Sequence, residues 1–333
     1  EEIKDMSDEE YRNNLYSLWT NYCVSESYEP GSTFKPVTVA SALEEGVVKD
    51  GDTYVCKGFE TVADYKLKCH VFSTIGSHGS LTVEQALMNS CNPYMIHLAL
   101  EMGNSRFAYY QSLFGFGKIT GIDLPGETTG IVYGDRMTTI DAACNSFGQT
   151  INVNMMQMMA AYCSIINGGM LYQPHIVKRI ESANGEVVKE YKANLVRQTI
   201  TASTSKLLRR YLKNTVEEGT AKKAGVTGYS VAGKTGTAQK GDRKDNKWII
   251  SFIGHAPAEN PKFAIYVVID EPYGTTGTSG SSADVLTLTH NILEKLLPYM
   301  NVYKDASDEY EDTSSSPDEL TVDGIPAGTA SSN

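Results

Sequence analysis

The sequence predicts an α+β fold, an antiparallel sheet flanked by helices with a helical subdomain beside it, and three observations carry that prediction. Helix-like periodicity occupies about residues 32–46, 81–102, 104–114, 153–167 and 203–218, most of these stretches bounded by Gly or Pro. Strand-like runs arrive late, as GYSVAGKTGTAQ (228–239), KWIISFIGHAPA (247–258) and KFAIYVVIDEP (262–272), and the last two are dense in β-branched and aromatic residues. One more helical stretch, about 283–298, follows them. Strands gathered at one end and helices elsewhere favour a layered α+β arrangement over alternating βαβ units.

Taken in order, the first 31 residues, NNLYSLWTNYCVS among them, show no strand pattern. Pro36 has no N–H and fits a helix only near its first turn, while VTVASALEEG continues in helical style to Gly46. Ser32 to Lys35 therefore sit at a helix N-terminus. In LMNSCNPYMIHLAL, Ser90 and Asn92 fall in a tight loop between helices, just before Pro93. Residues from about 80 to 220 read as mostly helical, with short extended pieces such as LYQPHIVKRI. PAENP is a turn, so the two strand-like runs it separates form a hairpin. No internal repeat is visible.

A chain of 333 residues, 41% of them hydrophobic, suffices for one large domain or two modest ones. The most apolar stretch, VNMMQMMAAYCSIINGG, is interrupted by Asn and Gln and falls short of the run of about 18 residues a membrane helix needs. The opening EEIKDMSDEE has no signal peptide and no initiator Met, so a start cut from a longer chain is expected. Of the formal charge of −11, residues 301–333 hold eight acids against Lys304, a net of −7, leaving −4 for residues 1–300. That body has no basic stripe for nucleic acid. The acidic, Ser-rich stretch 301–333 reads as a disordered tail or linker after a domain of residues 1–300. Six cysteines in a chain of this size do not make a disulfide scaffold. Cys56, Cys69 and Cys91 with His70 or His78 lack a paired CxxC spacing, so no metal site and no cofactor are expected.

Three short stretches carry chemistry. In YEPGSTFKPVT, Ser32 and Lys35 at i and i+3 share a helical face, a nucleophile within reach of a base. A lysine serves as a base only where burial or a second cation lowers its pKa. Read alone, the pair is equally a helix cap and a solvated lysine. Ser90 and Asn92 offer a hydroxyl to pass a proton and an amide to hold a carbonyl, or again a helix cap. In VAGKTGTAQK, Lys234 and Thr235 present a charge and a hydroxyl on a strand whose small residues, Gly236 among them, admit a substrate backbone, with a carboxylate as the natural guest. The bland reading is an edge strand with a solvated lysine.

The order SxxK, SxN, KTG changes the balance. The sequence resembles the transpeptidase domain of class B penicillin-binding proteins, closest to the division or sporulation types of Gram-positive bacteria. The resemblance covers nearly all of residues 22–300 and extends to HGSLTVEQALMNSCNP, GKITGIDLPGE, SFGQTINVNMMQMMAAYCSIINGG, EEGTAKKAGVTGYSVAGKTGTAQ and SFIGHAPAENPKFAIYVVIDEP. It implies a serine-type D-Ala-D-Ala transpeptidase that cross-links peptidoglycan stem peptides and is blocked covalently by β-lactams. By the same resemblance Ser32 is the nucleophile, Lys35 its base and Ser90 the proton relay. Asn92 holds the acyl side chain and Lys35, and Lys234 tunes the field, each lysine disfavouring protonation of the other. Thr235 and Thr237 bind the substrate carboxylate, and the N–H groups of Ser32 and Thr237 form the oxyanion hole.

Relatives carry two strands and a helix before the nucleophile, completing a five-stranded sheet, and these are expected to be missing here. So are the N-terminal membrane anchor and the pedestal domain, which imply a place on the extracytoplasmic face of the cell membrane and division or sporulation membrane proteins as partners. The late loop TTGTSGSSADV has Gly-Ser where relatives usually show two glycines. Rival readings are a β-lactamase or D,D-carboxypeptidase, for which Glu127 lacks the context of a deacylating base, and a non-catalytic penicillin-binding scaffold or sensor. Cys91 lies between Ser90 and Asn92. Paired with Cys69 or Cys56 it would distort that loop and switch activity off; otherwise it is a buried free thiol.

Overall fold

The structure, a computed structural model, describes residues 7–241, 247–272 and 281–305. Helices α1 (Asp8–Ser17) and α2 (Tyr22–Ser25) precede a 3-10 turn, Gly31–Phe34, that runs directly into α3 (Lys35–Glu45). α3 takes Pro36 in its first turn and stops at Gly46, which adopts the left-handed conformation of a C-cap. Four short strands come next, β1 (Thr53–Cys56), β2 (Phe59–Val62), β3 (Tyr65–Lys68) and β4 (Gly79–Thr82), paired as β1 with β4 and β2 with β3. The helical middle comprises α4 (Val83–Met88), α5 (Asn92–Met102), α6 (Asn104–Leu113), α7 (Thr139–Asn145) and α8 (Met155–Ile166). Thr82, Thr138 and Asn154 start α4, α7 and α8 with reciprocal capping boxes. Two further ribbons pair β5 (Met170–Gln173) with β8 (Asn194–Gln198) and β6 (Arg179–Glu181) with β7 (Val187–Glu190).

Helix α9 (Ala202–Glu217) leads into the principal sheet, β9 (Ala232–Lys240), β10 (Lys247–Ala256) and β11 (Phe263–Asp270), antiparallel in the order β11-β10-β9. The expected hairpin is present, with Ala256 opposite Phe263 across the turn. Helix α10 (Ala283–Tyr299) lies against β10 and β11, while α9 packs on β9 and α8 on β11. β10 is therefore covered on both faces. Its Ile250, Phe252 and Ala256 join one apolar cluster with Val285, Leu293 and Leu297 of α10, and Ile253 joins the larger cluster of α3, α5, α8 and α9. This double burial is why eight consecutive β10 residues are inaccessible, instead of alternating. Each such large side chain contributes about 1.5–3 kcal/mol of burial.

Several expectations shift. The 81–102 stretch is a strand end and two helices, broken at residues 89–91. Ser32 lies in the 3-10 turn, one turn before the α-helix proper. No sequence pattern announces β1 to β4, β7, β8 or α7, which are short and only weakly periodic. The chain is tied down beyond residue 300: Val302 is buried, Asp305 N–H donates to the Gly228 carbonyl (3.0 Å), and its carboxylate accepts from Ser230 N–H (2.7 Å) and Oγ (2.5 Å). The tail proper, 306–333, and most of the loop TTGTSGSSADV lie outside the described residues.

Candidate active site

The 3-10 turn that bears Ser32 is wedged between β9 and the loop 146–150. Gly31 has φ 56°, and a Cβ there would lie 2.6 Å from the Thr237 carbonyl oxygen, so only glycine lets the turn approach the strand. Gly31 N–H donates to the Gly148 carbonyl (2.9 Å), and Thr38 Oγ1, one turn into α3, donates to the Ser146 carbonyl (2.7 Å). Gly236 of β9 has its Cβ space occupied by Thr33 Cγ2 and the Pro30 carbonyl. Strand and turn are thus in van der Waals contact, and Ser32 stands half-buried beside half-buried Thr237.

The SxN loop completes the group. Ser90 is the first residue past the cap of α4, in the left-handed region at φ 55°. Its N–H bonds to the Leu87 carbonyl and that of Cys91 to the Ala86 carbonyl, the two bonds of a Schellman ending. A serine holds the place that glycine usually takes, at a cost of about 1–2 kcal/mol. This conformation aims Ser90 Oγ at Ser32 Oγ (3.0 Å) and brings it to Lys35 Nζ (3.0 Å). Lys35 Nζ also donates to the Ser90 carbonyl (2.6 Å) and to Asn92 Oδ1 (2.6 Å). No hydrogen bond joins Lys35 to Ser32 directly among the described residues. The direct pairing expected from i, i+3 spacing is replaced by a relay, because three acceptors of the SxN loop hold the amine.

Both lysines are wholly buried. Burial pushes Lys35 down to about 8, against an opposing pull from the Cys69 and Cys91 thiols. Lys234 falls well below its ordinary value, chiefly through burial and then through the charge of Lys35. The mutual suppression expected of two cations thus acts on Lys234, whereas for Lys35 desolvation is the cause. Lys234 Nζ donates to the Thr235 carbonyl (3.3 Å), Thr235 Oγ1 (3.3 Å) and Thr220 Oγ1 (3.5 Å). Thr220 has no role in the sequence-based expectations, although it lies in the EEGTAKKAG stretch. It bonds Thr235 Oγ1 (3.3 Å) and the Met88 carbonyl (3.3 Å), tying β9 to the end of α4.

All eight residues singled out in the sequence therefore converge on the junction of the 3-10 turn, the SxN loop and β9. A cavity of about 340 Å³ opens near the far end of β9, lined by Tyr22, Glu29, Gln239, Lys240 and Asp270, and does not contain Ser32.

A helix-flanked antiparallel sheet thus carries a hydrogen-bonded row of two serines and a buried lysine beside β9. The chain belongs to the penicillin-binding protein transpeptidase family, whose transpeptidase-domain model matches residues 2–294. It is 41% identical over 288 residues to stage V sporulation protein D of Bacillus subtilis, covering 85% of this chain and 44% of that protein. It is 32% identical over 292 residues to the peptidoglycan D,D-transpeptidase FtsI of Escherichia coli K12, covering 86% and 46%. The chain thus spans less than half the length of either relative. Among solved structures, penicillin-binding protein 3 of Mycobacterium tuberculosis superposes with a TM-score of 0.77 at 27% identity, covering 86% of this chain and 66% of that one. The same protein complexed with aztreonam gives 0.77 at 29% identity, with the same coverage.

Proposed function

We propose that this domain is a serine D,D-transpeptidase that cross-links peptidoglycan stem peptides and is acylated by β-lactams. The observation that carries the reading is the hydrogen-bonded row from Ser32 through Ser90 to Lys35, with Asn92 holding the amine and Lys234 behind. Ser32 Oγ attacks the carbonyl carbon of the penultimate D-Ala. Its proton passes to Ser90 Oγ as Ser90 gives its own to neutral Lys35. When the C–N bond breaks, the row runs in reverse and protonates the departing amine of the terminal D-Ala. An amine from a neighbouring strand then attacks the ester, loses its proton into the same row and frees Ser32. The N–H groups of Ser32 and Thr237 hold the oxyanion, Thr235 and Thr237 bind the substrate carboxylate, and Gly236 leaves room for its backbone.

Hydrolysis is disfavoured by the state of Glu127, the candidate base for that role. Its two oxygens are taken by Thr120 N–H (2.7 Å), Thr120 Oγ1 (2.6 Å) and Gly121 N–H (3.0 Å) of its own loop. The names of the E. coli relative and of the aztreonam complex support the reading. Among the described residues no helix is long and apolar enough to cross a membrane. In this reading the domain works on the extracytoplasmic face of the cell membrane, beside membrane proteins of division or sporulation.

Fluorescent penicillin tests the proposal. The chain is expected to label, Ser32→Ala to label not at all, and Ser90→Ala to label about 100-fold or more slowly. An adduct surviving for hours fits a transpeptidase. Rapid turnover of the adduct would make the protein a hydrolase, and no labelling of a folded chain would leave only a scaffold.

A further inference from the structure

Four side chains that the transpeptidase chemistry does not use meet beside the SxN loop. Cys56 ends β1, Cys69 follows β3, His78 precedes β4 and Cys91 caps α5. Their three sulfurs and one ring nitrogen lie within 4.8 Å of one another, with the cysteines buried and free. Cys56 Sγ is 3.8 Å and Cys69 Sγ 3.5 Å from His78 Nδ1. At ordinary bond lengths a tetrahedral zinc ion sets sulfur and nitrogen about 3.6 Å apart. The two observed separations bracket that edge.

The surroundings are those of metal-bound sulfur. Gly58 N–H points to Cys56 Sγ (3.4 Å). That donor belongs to the outer shell that orients a thiolate ligand. Gly58 makes this contact possible. Its φ is 87°, and the Gly76 backbone and the Phe72 ring fill the space of a Cβ, so the chain doubles back two residues after Cys56.

We propose that Cys56, Cys69, Cys91 and His78 Nδ1 bind one Zn²⁺ in a closed tetrahedron of three sulfurs and one nitrogen. Soft thiolates with an imidazole select zinc over magnesium, calcium or manganese, and four protein ligands leave no open position, which makes the site structural. Binding displaces the protons of the thiols that are still protonated and involves no electron transfer. Its consequence is positional. Cys91 lies between Ser90 and Asn92, while Cys56, Cys69 and His78 belong to the β1–β4 region, so the ion fastens the active-site loop to that region. The ligand spacings of 13, 9 and 13 residues explain why no CxxC pattern announced it.

Elemental analysis of the whole chain, purified in reductant without chelator, tests this independently of the transpeptidase reading. About one zinc per chain is expected, in Ser32→Ala as well as in the unaltered protein. Cys69→Ser and His78→Ala should each weaken zinc binding by more than about 100-fold, with Cys163→Ser unaffected. Should those variants fail to fold, cobalt(II) exchanged into the unaltered chain decides: intense visible bands of a tetrahedral site and a sulfur-to-cobalt band in the near ultraviolet are expected. A folded, reduced chain with neither zinc nor these bands overturns the proposal. So does peptide mapping that finds two of Cys56, Cys69 and Cys91 joined as a disulfide in a metal-free protein.

Discussion

At the scale of single residues, the proposed reaction turns on how much charge Lys35 keeps. Its folded value of about 8 lies below the ordinary 10.5 because the buried ammonium has lost its water. The neutral amine donates two hydrogens, to the Ser90 carbonyl and to Asn92 Oδ1, and turns its lone pair to Ser90 Oγ. That is the base form. At neutral pH on the order of one molecule in ten holds it, and below the folded value each pH unit changes that fraction about tenfold. Acylation by penicillin at limiting concentration should therefore climb about tenfold per unit up to neutrality and level off a little above 8. A stopped-flow pH series checks this. A flat profile from about pH 6 to 9 would mean that Lys35 is not the group that takes the proton.

At the scale of elements, the active loop is a helix ending with the wrong residue in it. The Schellman turn after α4 asks for glycine where Ser90 stands at φ 55°. Ser90→Gly and Ser90→Ala both lose the hydroxyl, so their difference isolates the backbone. The glycine variant should be more stable by about 1 kcal/mol in urea unfolding, with acylation slow in both. Equal stability would show that the loop bears no strain. That strain could not be read from LMNSCNPYMIHLAL, since a tight loop between helices does not show which of its residues takes the left-handed conformation. What could be read was which residues meet, because Ser32, Lys35, Ser90, Asn92, Lys234 and Thr235 are types with few reasons to recur in that order. The metal-ligating set was passed over for the opposite reason: Cys56 ends a short strand while Cys69, His78 and Cys91 flank other short strands and a helix start, and no local pattern reveals how these pair.

At the scale of the molecule, the late strands and α10 were legible because β10 is buried on both faces and α10 has a clear apolar stripe. The hold on residues 301–305 was not legible, since they share the polar composition of residues 306–333. In the fold they act as a clasp. Val302 sits in the cluster of α10 and the sheet, and Asp305 ties the chain back to Gly228 and Ser230 just before β9. Ser230 Oγ in turn accepts from Ala258 N–H (3.0 Å) beyond the end of β10, so the clasp reaches two strands of the active-site sheet. Losing Val302 burial and the partly exposed Asp305 bonds should together cost about 2–3 kcal/mol. A chain ending at Asp305 is thus expected to unfold at the same urea concentration as the full one. A chain ending at Met300 should unfold at a lower concentration with an unchanged slope, and because β9 carries Lys234 and Thr235 it should also acylate more slowly. Identical midpoints for the two truncations would place the domain boundary at residue 300 after all.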